Sequence, residues 1–164
     1  MPQAEDAAPI VSRPVKVRPE WIDYNGHMNE GFYVVVFSEA NDTVYDLIGL
    51  DAAGRERMGR SLFTAETHVT YVSEAKLGDE VEVQTLVASY DVKRLHLLHA
   101  MRRVAHAPLL ATAEMMVLHV DTAARRVVPF APDVLNRVRA IAEGHAALPA
   151  PPQLGRAIRR LGGA

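Results

Sequence analysis

The chain has 164 residues, 49% of them hydrophobic and 23% charged, with 18 Lys and Arg against 20 Asp and Glu. That length suits one domain with a real core, and the formal net charge of −2 supplies no positive field to hold a polyanion, which excludes nucleic acid as a main partner. The absence of cysteine rules out a disulfide framework, a thiolate zinc site and a Cys nucleophile, and suits the reducing cytoplasm where we expect the protein.

Residues 1–12 carry Glu5 and Asp6 and no apolar stretch of signal-peptide length, so they read as a flexible leader. No later run approaches the roughly 18 apolar residues that span a bilayer, and no membrane partner is expected. From Pro14 to Arg18, Val15 and Val17 alternate with Lys16 and Arg18, the period-2 pattern of a half-buried strand that Pro19 limits. Over Glu30–Ile48 the residues Tyr33, Val36, Phe37, Ala40, Val44, Leu47 and Ile48 recur at helical spacing, with Asn29 to cap the start and Gly49 to stop it. Because Phe32 to Phe37 is apolar all round, other structure is expected to wrap this helix.

A polar connection through Arg55, Glu56, Arg57 and Arg60 leads to four β-type runs, Ser61 to Val72, Val81 to Tyr90, Arg94 to Val104 and Leu109 to Val120. Breaks at Gly78-Asp79, Asp91-Val92 and Ala107-Pro108 read as turns between consecutive antiparallel strands. Pro132 opens a second helix with Val134, Leu135, Val138 and Ile141 on one side and an end near Gly144. Residues 13–145 thus form the domain, and 146–164 a Pro- and Ala-rich linker with a short basic tail from Arg156 to Leu161. The class is α+β, with about five antiparallel strands around a long central helix. Such a sheet leaves an edge exposed, so self-association as a homodimer or homotetramer is expected.

The chemistry concentrates in Trp21-Ile22-Asp23-Tyr24-Asn25-Gly26-His27-Met28-Asn29, between the first strand and the helix. An acid, an imidazole, two carboxamides and two aromatics gather where a helix start presents unpaired amides and the positive end of its dipole. An Asp two residues before Asn-Gly is also an ordinary turn residue that bonds its own backbone. The seven histidines show no zinc or iron spacing, and there is neither a Gly-x-Ser-x-Gly elbow nor a Gly-rich phosphate loop, so no metal and no cofactor is expected.

Asp23 to Tyr33 resembles the Asp-x-x-Gly-His-x-Asn-x-x-x-Tyr signature of the 4-hydroxybenzoyl-CoA thioesterase-like group of hotdog enzymes. The strand with Glu66, Val69 and Tyr71 and the Gly78-Asp79 turn are similar to the family's second strand, so the likeness spans about residues 14 to 143. Glu66-Thr67-His68, Lys93-Arg94-Leu95-His96-Leu97 and Leu118-His119-Val120-Asp121-Thr122 add a resemblance to the betainyl-CoA thioesterases of bacterial carnitine breakdown. The resemblance implies a hotdog fold, a curved sheet wrapped around the central helix, and hydrolysis of an acyl-CoA, with CoA as part of the substrate. It implies Asp23 as nucleophile or general base, with amides of Asn29, Glu30 and Gly31 facing the oxyanion, His27 and Asn29 holding the loop, and Glu66 positioning water or repelling product.

For a quaternary ammonium acyl group, Trp21, Tyr24, Tyr33 and Tyr71 are the aromatic faces on offer, Trp21 first, with His68 on the Glu66 strand. Lys93, Arg94, Arg102 and Arg103 form the basic set for the CoA phosphates. The Glu66 face of its strand equally reads as a solvated one. An aromatic or medium-chain acyl group, and a non-catalytic acyl-CoA-binding module on the same fold, stay open beside this reading.

Overall fold

The computed structural model describes residues 8–104, 108–149, 151–158 and 161–162. Outside them lie residues 1–7 of the leader, Ala107 of the expected Ala107-Pro108 turn, and residues 159–160 of the basic tail. Helix α1 (Glu30–Ile48) begins where the sequence places it. Asn29 stays extended and its Oδ1 accepts from Gly31 N at 2.9 Å, satisfying one of the amides that a helix start leaves open. Gly49 ends the helix at φ 84°, a left-handed turn that a Cβ would strain.

The sheet is antiparallel. β1 (Ile10–Val11) and β2 (Val15–Lys16) both pair with β4 (Glu80–Tyr90), followed in space by β5 (Arg94–Arg103), β6 (Leu109–Asp121) and β3 (Arg60–Tyr71), with β7 (Arg126–Val127) on the end of β6. Five strands are expected and seven are found among the described residues, because Ile10–Val11, in the stretch read as leader, adds β1 and a two-residue return adds β7. Ile10, Val11 and Ser12, whose Oγ accepts from Val83 N at 3.0 Å, therefore belong to the sheet and not to a leader. The polar connection proves to be helix α2 (Ala52–Met58), capped by Asp51 Oδ1 on Gly54 N at 2.7 Å and stopped by Gly59. Seven residues are too few for apolar periodicity to show. Helix α3 (Pro132–Ala146) runs two residues past Gly144.

Residues opposed across antiparallel strands share a face, so the register sorts the side chains. Leu95, Leu97, His99 and Met101 of β5 lie opposite Val117, Met115, Ala113 and Ala111 of β6, and all eight are buried. This is the inner face, under α1: Asn41 Nδ2 donates to Met115 Sδ at 3.6 Å, and the rings of Phe37 and His99 stand 5.8 Å apart. Helix α3 adds a second cover beside β4, where Val87 N donates to His145 Nδ1 at 2.9 Å.

The wrapping is incomplete. Val34 and Val35 are 38% and 41% exposed, and Val35 shares an open groove with Leu62 and Thr64 of β3. β3 is a twelve-residue edge strand whose one strand partner among the described residues is β6. One sheet face covers one side of a helix, and among the described residues the Val34–Val35 side stays open.

Candidate active site

A tight loop carries the site. Pro19–Trp21 make one turn of 3-10 helix. Ile22 then bridges to Met28, Asp23 N donates to His27 O at 3.1 Å, and Gly26 N donates to Asp23 O at 3.0 Å with Gly26 at φ 82°. Met28 N donating to Ala75 O at 2.8 Å ties this loop to the connection that follows β3. The turn reading of Asp23 is correct as far as it goes: its Oδ1 accepts from Asn25 N at 2.8 Å. That bond orients the carboxylate and leaves Oδ2 for chemistry.

Asp23 opens onto a cleft of about 480 Å³ with His27, Glu30, Tyr33, Tyr71 and Glu74 around it. His27 Nε2 stands 3.5 Å from Glu74 Oε1. The Tyr33 phenol accepts from Ala75 N at 2.9 Å and donates to Ser73 O at 3.3 Å, and burial raises its pKa so that the proton stays on. The Tyr71 phenol donates to Glu30 O at 3.1 Å and is raised by burial as well. The two rings meet edge to face at 5.3 Å.

Of the three amides expected to face an oxyanion, two are spent. Asn29 N donates to Trp21 O at 2.9 Å and Gly31 N to the Asn29 cap, while Phe32 N returns to Asn29 O at 3.0 Å. Glu30 N has no acceptor among the described residues and stays free at the positive end of α1.

Other expected site residues fall elsewhere. Asn29 is the helix cap and does not line the cleft. Trp21 is 5% exposed, with Phe32 stacked on it at 5.3 Å and the Arg18 guanidinium 5.0 Å over its ring, so it has no face left for substrate. Tyr24, 97% exposed at the loop tip, stands outside the cleft. Glu66 and His68 are opposite Met116 and Glu114, on the outer side of the sheet from α1. A bulge between Thr64 and Glu66 inserts a residue into β3 and flips the phase of the side chains after it, which gives Glu66 the solvated side of the two readings.

The basic set divides as well. Lys93 and Arg94 sit at one end of β5 and Arg102 and Arg103 at the other, about 30 Å apart along a ten-residue strand. Arg94 Nε donates to Asp91 Oδ2 and Arg103 Nε to Asp79 Oδ2, each at 2.7 Å. Burial alone would raise the Asp79 pKa, but the Lys76 amide and Arg103 hold it below the usual carboxylate value. Arg103 Nη2 also donates to Glu74 O, so this end borders the cleft.

Residues 17–138 match the thioesterase-like superfamily. The chain belongs to that family. It is 47% identical over 142 residues, 87% of this chain and 89% of the relative, to the betainyl-CoA thioesterase of Pseudomonas aeruginosa. It is 41% identical over 143 residues to the L-carnitine dehydrogenase/betainyl-CoA thioesterase of Rhizobium meliloti, covering 87% of this chain and 29% of that longer one. A hypothetical protein of Staphylococcus aureus solved in complex with CoA superposes with a TM-score of 0.84 at 30% identity, over 93% of this chain and 96% of that one. This chain is therefore an α+β hotdog thioesterase, and its central helix, antiparallel sheet and Asp23 loop are the elements the sequence resemblance implied.

The side chains of Glu30 and Glu74 also line the cleft, outside the residues that the sequence motif assigns to it. Glu30 carried a signal, being the acidic residue directly after a helix cap; Glu74, in the connection after β3, carried none.

Proposed function

We propose that this thioesterase hydrolyses betainyl-CoA to betaine and free CoA, with Asp23 as its catalytic carboxylate. The observation that carries the reading is Asp23 Oδ2, unengaged in a cleft that begins at the free Glu30 amide, in a chain 47% identical to a betainyl-CoA thioesterase. Asp23 takes a proton from the attacking water, or attacks the carbonyl carbon itself to give an anhydride that water then opens. In both routes the carbonyl oxygen gains the charge, Glu30 N donates to it, and the sulfur leaves with the bonding pair to become the CoA thiol. His27, held near Glu74, positions the loop.

The substrate carries its phosphates on CoA, and Arg102 and Arg103 are the basic residues at the cleft end of β5. Lys93 and Arg94 would reach the same ligand only from a second copy. The exposed edge of β3, with Phe63 uncovered on it and Val34 and Val35 exposed on α1, supports a homodimer that pairs the β3 edges. No helix among the described residues is long and apolar enough to cross a membrane, and we place the enzyme in the cytoplasm.

Thiol release from betainyl-, benzoyl-, acetyl- and hexanoyl-CoA tests the reading. Preference for betainyl-CoA is expected. Preference for a neutral acyl group moves the substrate and keeps the class, and CoA thioester binding without thiol release leaves a binding module.

A further inference from the structure

The betainyl group constrains its own binding site. Its quaternary nitrogen lies one methylene from the carbonyl carbon, about 2.5 Å away by ordinary bond geometry. Whatever recognises that cation must therefore line the same cleft as Asp23, within one van der Waals layer of the reacting carbon. A trimethylammonium has no N–H to donate, so it is held by aromatic faces and by carboxylates that need not touch it.

The aromatic faces reduce to one. Trp21 is covered by Phe32 and Arg18, Tyr24 is outside the cleft, and Tyr33 is 3% exposed with its phenol committed to Ala75 N and Ser73 O. Tyr71, 47% exposed, is the aromatic of the cleft lining that stays accessible, and its hydroxyl bond to Glu30 O fixes the ring in place. Glu30 and Glu74 line the same cleft. The Glu30 carboxylate has no ion-pair partner among the described residues, and that of Glu74 meets His27 alone, at 3.5 Å. Neither Lys nor Arg lines this cleft.

We propose that Tyr71, Glu30 and Glu74 form the acyl-cation half of the site and set the preference for a quaternary ammonium over a neutral acyl group of the same shape. The inference rests on the betainyl-CoA reading above and goes further by assigning its selectivity to three residues. Tyr71 supplies the face, and the two glutamates supply a field that favours the cation. Their charge acts in the bound substrate and in the transition state alike, so they lower KM more than they raise kcat.

The test compares kcat/KM for betainyl-CoA with that for 3,3-dimethylbutanoyl-CoA, in which carbon replaces the quaternary nitrogen. Tyr71→Leu is expected to lower the betainyl-to-neutral ratio about tenfold, and Glu30→Gln with Glu74→Gln together by a similar factor, mostly through KM. Tyr71→Phe should keep the ratio, since it keeps the ring. Equal losses on both substrates overturn the proposal, because they mark a structural role or an effect passed through His27, which acts on either thioester. An unchanged ratio overturns it too. If the wild type itself shows no betainyl preference, the substrate reading fails and the inference falls with it; if that preference is present and survives the substitutions, only the inference falls.

Discussion

Two acid–imidazole pairs occupy opposite sides of the sheet, and the tighter one is not at the site. In the cleft, His27 and Glu74 stand 3.5 Å apart with the Glu74 side chain 60% exposed. On the outer face, His96 Nε2 and Glu114 Oε1 are 2.7 Å apart and well shielded, Ser89 Oγ lies 3.2 Å from His96 Nδ1, and Gly155 N of the C-terminal segment donates to Glu114 Oε2 at 2.8 Å. The outer trio has the connectivity of a nucleophile, a base and an orienting acid. None of its three side chains lines the cleft that holds Asp23, and its acid is spent holding the chain end down. Short distances measure how well a network is satisfied; catalysis needs groups left unsatisfied beside a space that substrate can fill.

Substitutions at the two pairs separate these roles. Asp23→Asn should lower thiol release about 1000-fold with unchanged thermal unfolding, as expected for loss of a catalytic carboxylate. Glu114→Gln should leave turnover in place, and if it silences the enzyme as Asp23→Asn does, the assignment of sides is wrong. Glu30→Pro sharpens the oxyanion assignment. Position 30 is the first of α1, after an extended Asn29, where proline fits. It deletes only the free amide and the carboxylate, and the rate should fall about 100-fold relative to Glu30→Gln.

Imidazoles with no acid at all extend the contrast. His99, buried with Thr85 Oγ1 on its Nδ1 and no partner on Nε2 among the described residues, has its pKa pushed down by burial to about 4. His119 and His145 are lowered by burial too. Between about pH 6.5 and 4 the unfolded chain binds protons that the folded chain refuses, so stability is present above that window and is lost as pH falls through it. His99 alone accounts for about 3 kcal/mol of that loss, and urea midpoints between pH 7 and 5 should fall less steeply in His99→Met.

Smaller effects follow at the outer pair and the cap. Glu114→Gln should cost about 1 kcal/mol and loosen residues 151–158, read as faster amide exchange near Gly155. Asn29→Ala should cost about 1 kcal/mol through the lost bond to Gly31 N, with a modest rate loss because the Glu30 amide then shifts.

How far the chain could be read from its letters depended on the range of the interactions. The α1 boundaries, the long strands and the Asp23 loop follow from caps, glycines, alternation and a local motif, all set by residues within a few positions of each other. Helix α2 had its cap and stop at Asp51 and Gly59, yet seven residues gave no period to detect. The side of the sheet on which Glu66 and His68 fall was beyond local reading, since a one-residue bulge reverses every side chain after it and bulges are decided by pairing with a distant strand.

The sequence by itself therefore determined the family, the Asp23 loop and the helix start beside it, because a contiguous motif folds onto itself. Only the tertiary structure decided which aromatics stay accessible, which amide stays free, and that Glu74, 51 positions further along the chain, joins Asp23. Those are properties of packing, in which a residue's availability depends on what the rest of the molecule has already covered.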